Sequence, residues 1–128
     1  MPADSTARQA ASARTLWVID DDRSVRFVLA EALRSVGYQV REFDGPATAL
    51  SALAKQCPDA VFTDVRMPDM DGLKLLNVLK ADHPDLPVVV MSAYTDIAST
   101  AGAFRGGAHD FLSKPFDIDV AIAMARRA

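Results

Sequence analysis

The sequence predicts an α/β domain, a doubly wound parallel sheet with helices on both faces. Three observations carry this expectation. Short apolar runs recur along the chain and end on polar residues: Leu16-Trp17-Val18-Ile19, Ala60-Val61-Phe62 and Val88-Val89-Val90-Met91. Segments with helical spacing lie between them. The runs are near-continuous rather than alternating, the pattern of strands buried on both faces. With 128 residues and 50% hydrophobic content, the chain fits one domain with two covering layers.

Taken in order, residues 1–14 are small and polar without periodicity, and read as a mobile tail preceding a domain over residues 15–128. Leu16–Ile19 is the first strand and runs into Asp20-Asp21-Asp22. Val25, Val28, Leu29, Ala32, Leu33 and Val36 then form a one-face helical stripe, with Asp22 or Arg23-Ser24 as its cap and Gly37 as its stop. Tyr38–Phe43 alternates as a strand, and Pro46 can open a helix whose buried side is Ala47, Leu50, Leu53 and Ala54. Cys57-Pro58 ends that helix, with Cys57 expected to be a small buried hydrophobe.

Ala60–Phe62 opens the central strand, which closes on Asp64. Met67-Pro68 and Gly72 supply turn and helix-start chemistry, and Leu73, Leu76, Leu79 and Lys80 carry the next helix to His83-Pro84. Val88–Met91 ends at Ser92-Ala93. Ile97–Arg105, capped by Asp96, is rich in Ala, Ser, Thr and Gly, so its intrinsic helix support is poor. Ala108–Leu112 is a short strand leading to Lys114, and Asp117 caps a last helix with Ile118, Ala121, Ile122 and Ala125 on one face. Phe104 and Met124 fit either core or surface, and His83 and His109 are expected to be exposed and inert. Five strands alternating with five helices fit the flavodoxin-like order 2-1-3-4-5 with right-handed crossovers.

Several function classes are disfavoured. The net charge of −3 gives no electrostatic case for nucleic acid or an anionic membrane. A single cysteine makes neither an internal disulfide nor a zinc site and suits a reducing cytosol, so a cytoplasmic location is expected. No apolar run approaches the roughly 20 residues of a membrane span. A flavin or nucleotide module lacks support, because the loop after the first strand is acidic and has no glycine-rich cradle.

Ligands of open α/β sheets bind at the carboxyl ends of the strands. In the order above, that rim gathers Asp20, Asp21, Asp64, Ser92 and Lys114. Three carboxylates in one place repel one another, and a hard divalent cation with oxygen ligands, Mg²⁺, resolves the conflict. Such a cation invites a phosphoryl group, for which Lys114 offers a point charge and Ser92 a hydroxyl donor. Asp64, at the centre, can serve as a carboxylate nucleophile. The bland readings stand beside this: Asp22 as a helix cap, Ser92 as a loop serine, Lys114 as a solvated lysine.

Ile19-Asp20-Asp21-Asp22, Asp64 with Met67-Pro68-Asp69-Met70-Asp71-Gly72, Met91-Ser92-Ala93 and Lys114-Pro115-Phe116 together resemble receiver domains of two-component response regulators. The resemblance covers residues 15–128. The wording Trp17–Asp22, Asp64–Pro68 and Lys114–Asp119 is most similar to the nitrogen-regulation class of enhancer-binding regulators. The resemblance implies that Asp64 accepts phosphate from a histidine kinase. It implies Mg²⁺ on Asp21, Asp64 and the main-chain carbonyl of Arg66, with Asp20 acting through water. Lys114 would contact the phosphoryl group, Ser92 would turn toward it, and Phe111 would be the coupled aromatic, without the hydroxyl of a tyrosine. It further implies a cis Lys114-Pro115 bond, a phosphorylation-dependent homodimer, and ATPase and DNA-binding domains in a longer regulator controlling transcription. The alternative is a Mg²⁺-dependent phosphohydrolase with an aspartyl nucleophile. That chemistry places a second carboxylate two residues after the nucleophile, where this chain has Arg66.

Overall fold

A computed structural model describes residues 14–65, 72–93, 101 and 105–128. Five strands form one sheet: β1 (Thr15–Ile19), β2 (Gln39–Phe43), β3 (Ala60–Asp64), β4 (Val88–Ala93) and β5 (Asp110–Lys114). Their order is β2-β1-β3-β4-β5 and every pairing is parallel. This is the flavodoxin-like order expected from the sequence. Four helices lie among the described residues: α1 (Arg23–Ser35), α2 (Pro46–Leu53), α3 (Gly72–Asp82) and α4 (Ile118–Arg127). Of the fourth of the five predicted helices, Ile97–Arg105, only Ala101 and Arg105 are described, and both are helical. The predicted cap Asp96, Phe104, and most of the amino-terminal tail lie outside the described residues.

The continuous apolar strands are explained by two cores. Leu16, Val18, Phe62, Val89, Met91 and Leu112 face α1 and α4, meeting Leu29, Ala30, Leu33, Ala121 and Ala125. The alternate residues Trp17, Ile19, Val61, Val88 and Val90 meet Ala49, Leu75, Leu76 and Leu79 of α2 and α3. Successive side chains of a strand point to opposite faces, so a strand covered on both sides must be apolar at every position.

The helix ends follow local chemistry. The carboxylate of Asp22 accepts from the amides of Ser24 and Val25 and is the N-cap of α1. Gly37, at φ 103°, terminates it. The Gly37 amide donates to Arg34 and the Tyr38 amide to Leu33, the paired bonds of a Schellman stop. Pro46 opens α2, and Asp117 caps α4 by accepting from the Asp119 amide.

Helix phases differ from the sequence reading. On α1, Val28 is 46% exposed and Val36, its C-cap, 40%, while Ala30, absent from the predicted stripe, is buried. On α2 the buried residues are Pro46 and Ala49; Ala47 and Ala54 are exposed. On α4, Met124 joins the core and Ile118 is exposed. Cys57 is exposed rather than buried, because Pro58 takes the interior position as the chain turns into β3. Its sulfur lies 3.6 Å from Nδ1 of a half-buried His83.

Candidate acidic pocket at the sheet rim

The strand ladder brings the predicted residues to one rim. Ile19 pairs with Thr63, so Asp20 and Asp64 leave adjacent strands at the same level. Asp64 is in register with Met91, and Ala93 with Lys114. Ser92, also buried, is therefore one residue beyond the partner of Asp64.

Carboxylate oxygens of Asp20, Asp21 and Asp64 lie within 4.8 Å of one another. Asp20 is fully buried and Asp64 nearly so, whereas Asp21 is exposed. The ammonium of Lys114 donates to Asp20 Oδ2 at 2.7 Å and to Asp64 Oδ1 at 3.0 Å. Lys114 is thus no solvated surface lysine; its side chain is largely buried between two acids. It precedes a cis peptide bond to Pro115.

The rest of the acidic turn is hydrogen-bonded in detail. Asp20 Oδ1 accepts from the Asp22 amide at 2.9 Å. The Asp20 amide continues the ladder to the Phe43 carbonyl at 3.1 Å. The Asp20 carbonyl accepts from Arg26 Nη1 at 2.7 Å. Arg26 was not singled out by sequence reasoning. An acceptor on the main chain leaves no mark in the residue pattern, and Arg26 there reads as a polar position of α1.

The charges do not balance. Burial pushes the Asp64 carboxyl above its ordinary value; the hydrogen bond from Lys114 opposes this, and the charges of Asp20 and Asp21 reinforce it. For Lys114, burial disfavours the ammonium, but its bonds to Asp20 and Asp64 outweigh this and hold its pKa above the usual lysine value. One ammonium therefore faces three acids, the donor set and charge deficit that suit a hard divalent cation.

Phe111 lies on β5 opposite Val90 and packs, half-buried, against the α2/α3 core. It is brought to that side of β5 rather than into the cluster of acids. Arg66 and the turn Met67–Asp71 lie outside the described residues. Among the described residues the three acids are the one cluster of metal-ligating type. No helix among them is long and apolar enough to cross a membrane.

Comparison with known proteins agrees with this geometry. The family model described as "Response regulator receiver domain" matches residues 16–126. The DNA-binding transcriptional regulator NtrC of Escherichia coli (strain K12) is 48% identical over 113 residues, covering 88% of this chain and 24% of that protein. The C4-dicarboxylate transport transcriptional regulatory protein DctD of Rhizobium meliloti is 37% identical over 118 residues, covering 92% of this chain and 26% of that protein. The chain thus spans about a quarter of the curated relatives it matches. The crystal structure of the receiver domain of NtrX from Brucella abortus superimposes with a TM-score of 0.83 at 37% identity, covering 88% of this chain and 95% of that one. Five parallel strands in a shared order, the acidic rim with its lysine, and these matches lead to one assignment: the chain belongs to the response regulator receiver domain family, in its NtrC-type class.

Proposed function

We propose that this domain is a phosphorylation switch. Asp64 accepts a phosphoryl group from the phosphohistidine of a sensor kinase, and the phosphorylated state is passed to an output that controls transcription. The observation that carries this reading is Lys114 Nζ held between Asp20 and Asp64, with Asp21 beside them, its exposed carboxylate open to a cation.

In this reading Asp21, Asp64 and the main-chain carbonyl of Arg66 would hold Mg²⁺, with Asp20 acting through water. Bound there, the ion would supply positive charge to offset the acids and to attract phosphoryl oxygens. An oxygen of Asp64 attacks phosphorus; an O–P bond forms as the N–P bond to imidazole breaks, and the electron pair returns to the imidazole nitrogen. Lys114 stays within reach of a phosphoryl oxygen, and catalysis consists of positioning and charge neutralisation. Ser92 then supplies a hydroxyl donor, and Phe111 moves as the coupled aromatic. The protein is a switch with slow self-dephosphorylation rather than an enzyme with an external substrate. It acts in the cytoplasm, without direct nucleic-acid or membrane binding by this domain, and forms a homodimer when phosphorylated. The phosphohydrolase alternative is disfavoured by Arg66 standing where a general acid is needed and by the receiver family assignment.

The test is acetyl phosphate with Mg²⁺, read by intact mass. The wild type should gain one phosphoryl group and Asp64→Asn none. A wild type that shows neither an adduct nor a response to beryllofluoride overturns the proposal. Sedimentation with and without beryllofluoride tests the dimer, which an unchanged monomer would discard.

A further inference from the structure

We propose that Arg26, supported by Glu42, is a positioning residue that holds the acidic turn in its cation-binding shape. The inference rests on the Mg²⁺ reading above and concerns residues that touch neither the cation nor the phosphoryl group.

Arg26 lies on the first turn of α1, and its guanidinium is engaged on two sides. Nη1 donates to the main-chain carbonyl of Asp20 at 2.7 Å. Nε faces Oε1 of Glu42, on β2, at 3.4 Å. The Arg26 side chain is 14% exposed and that of Glu42 28%, so neither partner is a loose surface charge. Glu42 is itself held, since its Oε2 accepts from Arg34 Nη1 at 3.2 Å and Arg34 Nη2 donates to the Val40 carbonyl at 2.8 Å. A chain of contacts therefore runs from β2 through Glu42 and Arg26 to the backbone of Asp20.

That carbonyl is where the chain passes from Asp20 to Asp21. The Asp20 carboxylate is fixed by Lys114 and by the Asp22 amide, and Asp22 is fixed as the helix cap. The peptide group between Asp20 and Asp21 is fixed by Arg26. The direction in which Asp21 projects its carboxylate follows from the orientation of this peptide. A planar guanidinium can serve the carbonyl and the carboxylate at once; a lysine has the charge but not the fork. Groups that orient metal ligands without binding metal alter affinity on the order of 10-fold when removed.

The experiment uses the whole chain and has two arms. First, Mg²⁺ affinity is measured by calorimetry for the wild type, Arg26→Met, Arg26→Lys and Glu42→Gln. Arg26→Met should bind about 10-fold more weakly, with Arg26→Lys between it and the wild type and Glu42→Gln shifted in the same direction. Second, amide exchange is followed without metal. The Asp22 amide should lose protection in Arg26→Met, while amides at the centres of β1 and β3 stay as slow as in the wild type. A purely structural role would instead speed exchange throughout the sheet. If Arg26→Met does not fold, Glu42→Gln carries both arms. Wild-type affinity in the variants, or a Mg²⁺ loss matched by general loss of protection, overturns the inference. A wild type that binds no Mg²⁺ overturns the proposed function instead, and the Asp22 exchange arm still reports on Arg26.

Discussion

Removing the proposed phospho-acceptor should stabilise the metal-free protein. In Asp64→Asn the shape is kept and one charge is lost. Oxygens of Asp64 lie within 4.8 Å of those of Asp20 and Asp21, and at an effective dielectric constant of about 20 each repulsion amounts to about 3.5 kcal/mol. Against these stands the attraction to Lys114 at 3.0 Å, about 5.5 kcal/mol on the same scale. The carboxylate also gives up solvation on burial, a cost that its raised pKa reflects. Screening at the exposed Asp21 reduces the repulsive side, so a net gain of about 1–2 kcal/mol is expected. For a domain of this size that is a rise of roughly 3–8 °C in melting temperature. The assay is thermal unfolding by circular dichroism at pH 7 with EDTA, repeated in Mg²⁺. The wild type should gain about 2.7 kcal/mol when Mg²⁺ is at 100 times its dissociation constant. The variant, short of one ligand, should gain less at the same concentration. An Asn variant that melts at or below the wild type without metal would refute the charge-frustration argument.

Four further outcomes follow from the same structure. Lys114→Met leaves the fully buried Asp20 without its cation and should cost about 3 kcal/mol in metal-free urea unfolding; a loss under about 1 kcal/mol would show that the pair is compensated by solvent. The raised pKa of Asp64 means that the folded state holds this proton where the unfolded chain has released it. Its contribution to stability is therefore complete below the ordinary carboxylate value of about 3.9 and is lost as pH rises through the higher folded value. The stability of wild type relative to Asp64→Asn should accordingly improve on acidification from pH 7, and a flat difference would contradict the shift. At the two ends of α1, Asp22→Ala should cost about 1 kcal/mol through the lost cap. Gly37→Ala should cost about 1–2 kcal/mol through its positive φ alone, since no atom lies within 4 Å of the added Cβ. Both are read by urea midpoints at constant slope.

The strands were legible because burial on both faces leaves an unmistakable apolar run, as in Leu16–Ile19 and Val88–Met91. Asp22, Gly37 and Asp117 were legible because capping is local chemistry. Helix phase was read less well. The stripe through Val28 and Val36 is more hydrophobic than the face through Ala30, yet α1 turns Ala30 inward with Leu29 and Leu33. A small residue lets a helix approach its sheet closely, and that gain depends on partners distant in sequence. The acidic rim could be assembled from strand order plus the polar residue closing each strand. That Lys114 reaches two acids, and that Arg26 holds a carbonyl, are facts of side-chain reach and main-chain direction. Neither is a property of residue type or spacing.

The fold also explains why the rim cannot relieve its own repulsion. Asp20 and Asp64 follow positions locked by the β1–β3 ladder, and Asp64 is itself paired with Met91 of β4. The bond from the Asp20 amide to Phe43 ties the other side to β2. Separating the acids would break ladder bonds at the centre of the sheet, between two apolar cores. Each such bond contributes about 1 kcal/mol net and costs more when its groups are left buried and unpaired. Protonation of Asp64, which its raised pKa favours, relieves the repulsion only by giving up the charge, and Lys114 is already shared between two acids. The relief that leaves every acid ionised is positive charge brought from outside. In the proposed reading a bound cation would offset the excess of acids, and Lys114 would supply a second positive group to a phosphoryl oxygen. The rigidity of the central strands is thus what keeps the acids together: a rim free to move would relax and disperse the negative charge on which the proposed cation site depends.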